Sequence, residues 1–304
     1  MLSTTLETFP SGARVRVARV RGPDADARGD SGNSGDAGDA SEGMRPTLVL
    51  LHGYPDNLQI FGELAPLLAQ TLDVVALDWP GMGQSDAWKG GATPSAMAER
   101  LAAILDHLGI ARCFLLGLDM GGQPALVFAS KYPHRTLGVI AMNSLVMGDE
   151  KTSWEIDLLR KFGFNRLVLR NLPTVVFLRA ERSFFPPGVR LPDDVREDLW
   201  SSFRRDEVRE FIVRMCAGYQ ATLSRLPVHY ARITVPTLVL WGEADRHFPP
   251  AHAERLHKTI VGAELTIVEG GEHWMIWDRA REIAARIAAF VERVSPPRPT
   301  QAAR

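Results

Sequence analysis

Residues 117–122 read Gly-Leu-Asp-Met-Gly-Gly, and this stretch decides the fold because it has the spacing of a nucleophile elbow. The apolar run at 113–118 predicts a buried strand, and residues 122–130 predict the helix that follows it. Glycines suit the turn between them, because such a backbone needs positive φ or close approach. The turn would therefore hold Asp119 out into a cleft.

The rest of the chain carries further motifs in register with this elbow. The chain resembles the α/β-hydrolase family, in the branch that uses an aspartate nucleophile and includes epoxide hydrolases and haloalkane dehalogenases. The matching segments are His52-Gly53-Tyr54-Pro55 after an apolar strand, and the stretches 77–86, 238–245 and 269–274. Their order gives nucleophile, then acid, then histidine, as expected for that fold.

The resemblance implies an α/β fold with a mostly parallel central sheet, helices on both faces and an inserted helical cap. Residues 1–143 and 231–295 would form the core, and residues 144–230, rich in aromatics and helical patterns, would form the cap. The Gly-, Asp- and Ser-rich residues 22–45 predict a disordered insertion loop. Residues 296–304 predict a loose tail.

An aspartate at the elbow selects the chemistry. A carboxylate is already ionised at neutral pH, so Asp119 could attack an sp³ carbon without a base and form an ester. His273 is the natural base for the water that hydrolyses this ester. Asp245 would orient and stabilise the imidazole.

Hydrolysis of the ester passes through a tetrahedral intermediate, whose oxyanion needs backbone N–H donors. By the family pattern these are the N–H groups of Tyr54 and Met120. We expect His52, Trp154 and Trp274 to lie at the substrate pocket, with His52 orienting its loop. Seven cap aromatics are expected to form an apolar roof over it: Trp154, Phe162, Phe164, Phe184, Phe185, Trp200 and Phe203.

The leaving group distinguishes the candidate reactions. An epoxide leaves an alkoxide that needs a proton, and resembled epoxide hydrolases supply two cap tyrosines, of which Tyr219 matches the later one. The span 145–218 contains neither tyrosine nor histidine, so the second donor would be Trp154, Tyr54 or water. Haloalkane dehalogenation through the same triad is the alternative, although Met120 and Tyr54 differ from that group's halide ligands. Fluoroacetate dehalogenases place an acid where Asn143 stands.

Composition excludes several other classes. The chain of 304 residues has a net charge of -1, which gives no reason to expect a nucleic-acid partner or attraction to membranes, and no apolar run could insert across a bilayer. Two cysteines and no signal peptide predict a cytoplasmic protein. The spacing of His247, His252 and His257 does not favour a metal site, and no cofactor motif is present.

We therefore predict a cofactor-independent hydrolase of a small apolar organic substrate, and epoxide opening to a vicinal diol is the favoured reaction. A catalytically silent ligand-binding protein of the same fold is a third hypothesis. A serine esterase is disfavoured by the lack of serine at the elbow. The sequence does not set the oligomeric state.

Overall fold

The computed structural model describes residues 1–22 and 45–295. Apart from its end residues 22 and 45, the insertion predicted at 22–45 lies outside these ranges, and so does the tail predicted at 296–304.

An eight-stranded sheet forms the centre of the molecule, in the order β1-β2-β4-β3-β5-β6-β7-β8. The first two strands form an antiparallel hairpin, and β2 also pairs antiparallel with β4. All other neighbours are parallel. The strands are β1 (Thr5–Thr8), β2 (Arg14–Val20), β3 (Thr47–Leu51), β4 (Asp73–Leu77), β5 (Cys113–Leu118), β6 (Thr136–Met142), β7 (Thr237–Gly242) and β8 (Glu264–Val268).

Helices bury the central strands, so β5 and β7 are apolar on both faces and buried along their whole length. Thr93 caps the second helix by accepting a hydrogen bond from the Ala96 N–H at 3.2 Å, and Gly109, with φ 70°, follows its end. The core helices are α1 (Leu64–Leu68), α2 (Pro94–His107), α3 (Gly122–Lys131), α10 (Ala251–Thr259), α11 (Met275–Asp278) and α12 (Ala280–Val294).

The connection from β6 to β7 carries a helical insertion, defined here as residues 144–230. Two of its helices begin at aspartates, Asp193 and Asp206. Its helices are α4 (Trp154–Arg160), α5 (Phe162–Asn171), α6 (Pro173–Phe184), α7 (Asp193–Phe203), α8 (Asp206–Thr222) and α9 (Leu226–Tyr230). The insertion is joined to the core where the Trp274 N–H donates to the Phe184 carbonyl at 3.0 Å.

The predicted aromatic roof is correct only in part. Phe184, Phe185 and Phe203 are buried and Trp200 is half-buried, whereas three other aromatics face outward: Trp154, Phe162 and Phe164. The two phenylalanines are exposed because α5 buries Asn165 and Leu169 instead, and Trp154 is exposed at the start of α4. Within residues 1–22 and 45–295, no helix has both the length and the apolar character needed to cross a bilayer.

Candidate active site

The elbow at 117–122 is a sharp turn between β5 and α3. Asp119 has φ 49°, which is left-handed backbone that non-glycine residues rarely adopt. A Cβ on Gly117 would lie 2.4 Å from the Gly121 carbonyl oxygen, and one on Gly121 would lie 2.2 Å from the Leu51 carbonyl oxygen. The glycines are therefore required for close backbone approach, while Asp119 itself carries the strained φ.

The carboxylate of Asp119 receives both predicted backbone donors. The Tyr54 N–H donates to Asp119 Oδ2 at 2.7 Å, and the Met120 N–H also hydrogen-bonds this carboxylate. A Cβ on Gly53 would lie 2.3 Å from the same oxygen, so only glycine lets this loop come so close. Burial raises the pKa of Asp119 to about 6, against the lowering effects of His273 and the two N–H groups.

The predicted relay pair is also brought together. His273 Nδ1 lies 2.9 Å from Asp245 Oδ2, and Asp245 Oδ1 accepts the N–H groups of His247 at 2.8 Å and Phe248 at 3.1 Å. Burial acts to lower the pKa of His273. The effects of Asp245, Asp119 and Asp56 outweigh it and raise the pKa to about 9. With Nδ1 held by Asp245, Nε2 is the nitrogen that remains for proton transfer.

His52 orients the loop of Tyr54, as expected, but the prediction that it lies at the substrate pocket is wrong. It is fully buried, and both ring nitrogens are engaged by backbone: Nδ1 lies 2.9 Å from the Gly53 carbonyl oxygen, and Nε2 lies 3.2 Å from the Trp79 amide nitrogen. Burial lowers the pKa of His52 to about 4, so its ring is neutral. A neutral ring can donate through Nδ1 and accept at Nε2, which holds the loop beside the elbow.

Trp274 lies behind the relay and is 1% exposed. Its Nε1 donates to Asp56 Oδ2 at 3.2 Å, and its ring packs on Phe184, whose own ring centroid is 4.5 Å from that of His273. Its indole N–H is thus bound to protein, and the residue supports the site instead of offering a free donor to a substrate.

Asp56 is a site residue that sequence reasoning missed. It is buried, and its Oδ1 has no hydrogen-bond partner among the described residues. Burial, followed by the charge of Asp119, raises the pKa of Asp56 well above its ordinary value. The available signal was a carboxylate directly after Pro55 in the loop of the oxyanion donor.

Asn143, at the end of β6, is a second missed residue. With φ 41°, it donates from Nδ2 to the carbonyl oxygens of Glu272 at 3.1 Å and His273 at 2.8 Å, and its Oδ1 accepts the Gly242 N–H at 2.9 Å. These three bonds fix the histidine loop against β7. A polar residue directly after a buried strand was the available signal.

The two predicted insertion residues are placed differently. Trp154 is 61% exposed on the outer surface, where Arg179 lies over its ring, so the prediction that it lines the substrate pocket is wrong. Tyr219 lies on α8, but its side chain is outside the described residues. Cys216, one turn earlier on α8, is close enough to Asp119 and to the Tyr54 hydroxyl for electrostatic coupling.

The Tyr54 hydroxyl is itself buried and has no hydrogen-bond partner in the described part of the chain. Asn165 on α5 is likewise fully buried, and its side chain lies at the Cys216 thiol. Buried polar side chains of the insertion therefore reach the surroundings of Asp119, and the Tyr54 hydroxyl is left with an unmade hydrogen bond. Within residues 1–22 and 45–295, no cluster of His, Cys, Asp and Glu could hold a metal ion.

This fold and this relay define a hydrolase class. A family model described as the alpha/beta hydrolase fold matches residues 46–280, so the chain belongs to the α/β-hydrolase family. Among its relatives, the chain is 29% identical over 264 residues to a 2-hydroxy-6-oxononadienedioate/2-hydroxy-6-oxononatrienedioate hydrolase of Klebsiella pneumoniae, covering 82% of this chain and 88% of that protein.

Solved structures agree on the fold. A membrane phospholipase A is 24% identical with a TM-score of 0.77, over 96% of this chain and 86% of that one. The epoxide hydrolase CorEH is 16% identical with a TM-score of 0.75, over 97% of this chain and 100% of that one. At these identities the likeness concerns the fold alone.

Proposed function

We propose that this hydrolase opens an epoxide to a vicinal diol through an ester on Asp119. The observation that carries the proposal is that the N–H groups of Tyr54 and Met120 converge on the carboxylate of Asp119. In an acyl-transfer enzyme such donors hold the oxygen of a substrate carbonyl. Here they hold an oxygen of the protein's own carboxyl group, which becomes the oxyanion when water attacks an Asp119 ester.

In the first half-reaction, Asp119 Oδ1 attacks a ring carbon, and the bond from that carbon to the epoxide oxygen breaks. The oxygen leaves as an alkoxide and takes a proton from a nearby acid. With a pKa of about 6, Asp119 is mostly ionised at neutral pH and ready to attack. Its raised pKa also reflects the loss of solvation that strengthens a carboxylate nucleophile.

In the second half-reaction, water attacks the carboxyl carbon of Asp119 and His273 Nε2 takes the water's proton. The pKa of about 9 keeps His273 protonated in the resting site, partly because Asp119 is negative. Ester formation removes that negative charge, so the pKa of His273 falls. The imidazolium then gives its proton back to the tyrosinate left by ring opening, and the neutral ring can act as the base. Collapse of the tetrahedral intermediate releases the diol and restores the Asp119 carboxylate.

We assign the leaving oxygen's proton to Tyr219 and Tyr54. Tyr219 is supported by its position on α8, one helical turn after Cys216, which is coupled electrostatically to Asp119. Tyr54 is supported by its hydroxyl, which is buried and has no hydrogen-bond partner among the described residues. Trp154, an alternative on sequence grounds, is disfavoured by its outward orientation.

Two other activities fit the site less well. Halide release needs N–H donors beside the nucleophile, whereas the indole of Trp274 is bound to Asp56. The Klebsiella relative is named for a dioate, a substrate with two carboxylates. Asp119 has the carboxylate of Asp245 as a negatively charged neighbour, and this charge would repel such a dianion. An intact relay also argues against a silent ligand-binding protein.

The division of labour between the two parts of the chain is a further element of the proposal. Residues 1–143 and 231–295 act as the catalytic core and residues 144–230 as a cap that shields the site from bulk solvent. The free cysteines Cys113 and Cys216 support a reducing, cytoplasmic location.

The proposed function is tested by offering epoxyhexane and chlorohexane to the wild type and to Tyr54→Phe. We expect the wild type to form hexanediol and to release little chloride. Tyr54→Phe should slow diol formation by about 10–100-fold, because it removes a proton donor and leaves the backbone donor in place. Diol is measured by gas chromatography and chloride by ion chromatography.

Tyr230→Phe is the matched control, because the Tyr230 hydroxyl is equally buried and unpartnered but lies on α9, which packs on α3. It should retain wild-type activity. Chloride release without diol would replace epoxide opening by dehalogenation, and turnover of neither substrate across a panel of epoxides would contradict the proposal. Equal loss in both variants would remove Tyr54 as the donor.

A further inference from the structure

The outer face of the insertion exposes many large apolar side chains. We define the insertion surface as residues 154–182, spanning α4, α5 and most of α6. Of the eleven exposed large apolar residues in the described part of the chain, six lie in it. They are Trp154 (61% exposed), Phe162 (38%), Phe164 (44%), Leu167 (61%), Leu172 (50%) and Val175 (59%). Such clustering marks an interaction site more often than scattered exposure does.

Contacts between the helices make this surface continuous. The Arg179 guanidinium on α6 lies 5.7 Å from the ring centroid of Trp154 on α4, and α5 packs against both helices. On α6, Val175, Arg179 and Arg182 are spaced by four and three residues, so they share one face. Apolar and basic side chains therefore alternate over one side of the insertion.

The same surface is positively charged. Residues 154–182 have a net charge of +3, although the whole chain has -1, so the remainder carries -4. All three acids of the surface are paired: Glu155 with Arg179, Asp157 with Arg160, and Glu181 with Arg196. Among the described residues, four basic side chains of the surface form no ion pair, namely Lys161, Arg166, Arg170 and Arg182. The overall net charge conceals this local excess.

We propose that the insertion surface binds an anionic lipid membrane, with its apolar side chains at the level of the headgroups and its basic side chains on lipid phosphates. Aromatic and aliphatic residues flanked by Lys and Arg are what an interfacial helix needs. Anionic headgroups complement the unpaired cations. A two-fold contact between copies would instead bring the same cations together, which disfavours self-association through this face.

The buried side of α5 packs against α8, the helix that carries Cys216. On α5, Asn165 and Leu169 are buried while Phe164 and Leu167 are exposed. Asn165 lies beside Cys216, which is coupled electrostatically to Asp119. Docking by this face would hold the insertion against the lipid bilayer, in which apolar substrates dissolve. Membrane binding nevertheless does not depend on the proposed epoxide chemistry, and it is measured separately.

Vesicle flotation with the full chain tests the proposal. We expect the wild type to float with vesicles of phosphatidylglycerol and phosphatidylcholine, to bind pure phosphatidylcholine much more weakly, and to dissociate as salt is raised. Reversing three charges in Lys161→Glu/Arg170→Glu/Arg182→Glu should weaken anionic binding at least about a hundredfold. Leu167→Gln/Val175→Gln should weaken binding to vesicles of either composition.

Matched controls carry the same changes elsewhere. Lys89→Glu/Arg112→Glu/Lys258→Glu reverses three exposed charges, and Val228→Gln/Val261→Gln removes two exposed apolar residues. Both should bind like the wild type. No flotation with anionic vesicles, or equal loss in the control variants, would overturn the proposal. It would also be overturned by light scattering that shows a dimer abolished by Leu167→Gln/Val175→Gln, because the face would then join two copies.

Discussion

Replacing Asp119 by alanine is expected to lower the rate of epoxide hydrolysis by at least ~10⁴-fold, the scale seen when a covalent nucleophile is lost. The variant keeps the backbone donors and the relay but has no carboxylate to form the ester. The substitution keeps the strained backbone but removes a buried ionised carboxylate, so the fold should remain at least as stable as the wild type. Initial rates of diol formation and thermal unfolding measure the two effects.

Asp106→Ala serves as the control for this substitution, because Asp106 is an exposed aspartate in a surface ion pair with Arg135. It should hydrolyse epoxide at the wild-type rate. Residual turnover of Asp119→Ala within tenfold of the wild type would mean that water attacks the epoxide directly.

Replacing His273 by glutamine is expected to trap the ester. Asp119 can still attack, so one equivalent of epoxide should be consumed in a burst. The following steady state should be slower by about 10²–10⁴-fold, because no base activates the water. Mass spectrometry of the intact variant should show the mass of one bound epoxide, and peptide analysis should place it on Asp119. A slow reaction without a burst, and with no adduct, would contradict the assigned role of His273.

The burst of this variant should also depend on pH in a defined direction. Attack requires ionised Asp119, whose pKa of about 6 already includes the lowering effect of protonated His273. Removing the imidazolium removes that effect, so the midpoint of the burst rate in His273→Gln should lie above pH 6. Below the midpoint the rate should fall about tenfold per pH unit. A midpoint near pH 4 would contradict the buried environment described for Asp119.

Sequence reasoning predicted the fold and the relay because both depend on local patterns. Buried parallel strands are continuous apolar runs, and each catalytic residue directly follows one of them or lies in a short loop after it. The glycines at 117, 121 and 122 predicted a sharp turn between the strand and the helix. Of the two roles predicted for these glycines, the structure shows only close backbone approach, and the positive φ lies on Asp119 instead.

Contacts between distant segments could not be predicted in the same way. Asn143 fixes the loop of His273, which lies 130 residues further along the chain, and nothing local in the sequence records that partnership. The raised pKa of Asp56 comes from its burial near Asp119, and this burial depends on the packing of two loops. Trp154 was misplaced because an aromatic residue in a helical segment predicts burial, and only the packing of α4 shows which way it faces.

The central claim concerns which atom water attacks, and a single turnover in ¹⁸O-water tests it most directly. With wild-type enzyme in excess over epoxide, the account predicts that ¹⁸O enters the carboxylate of Asp119, while the first diol released carries an unlabelled oxygen from that side chain. Labelled diol together with an unlabelled Asp119 peptide would contradict the covalent mechanism.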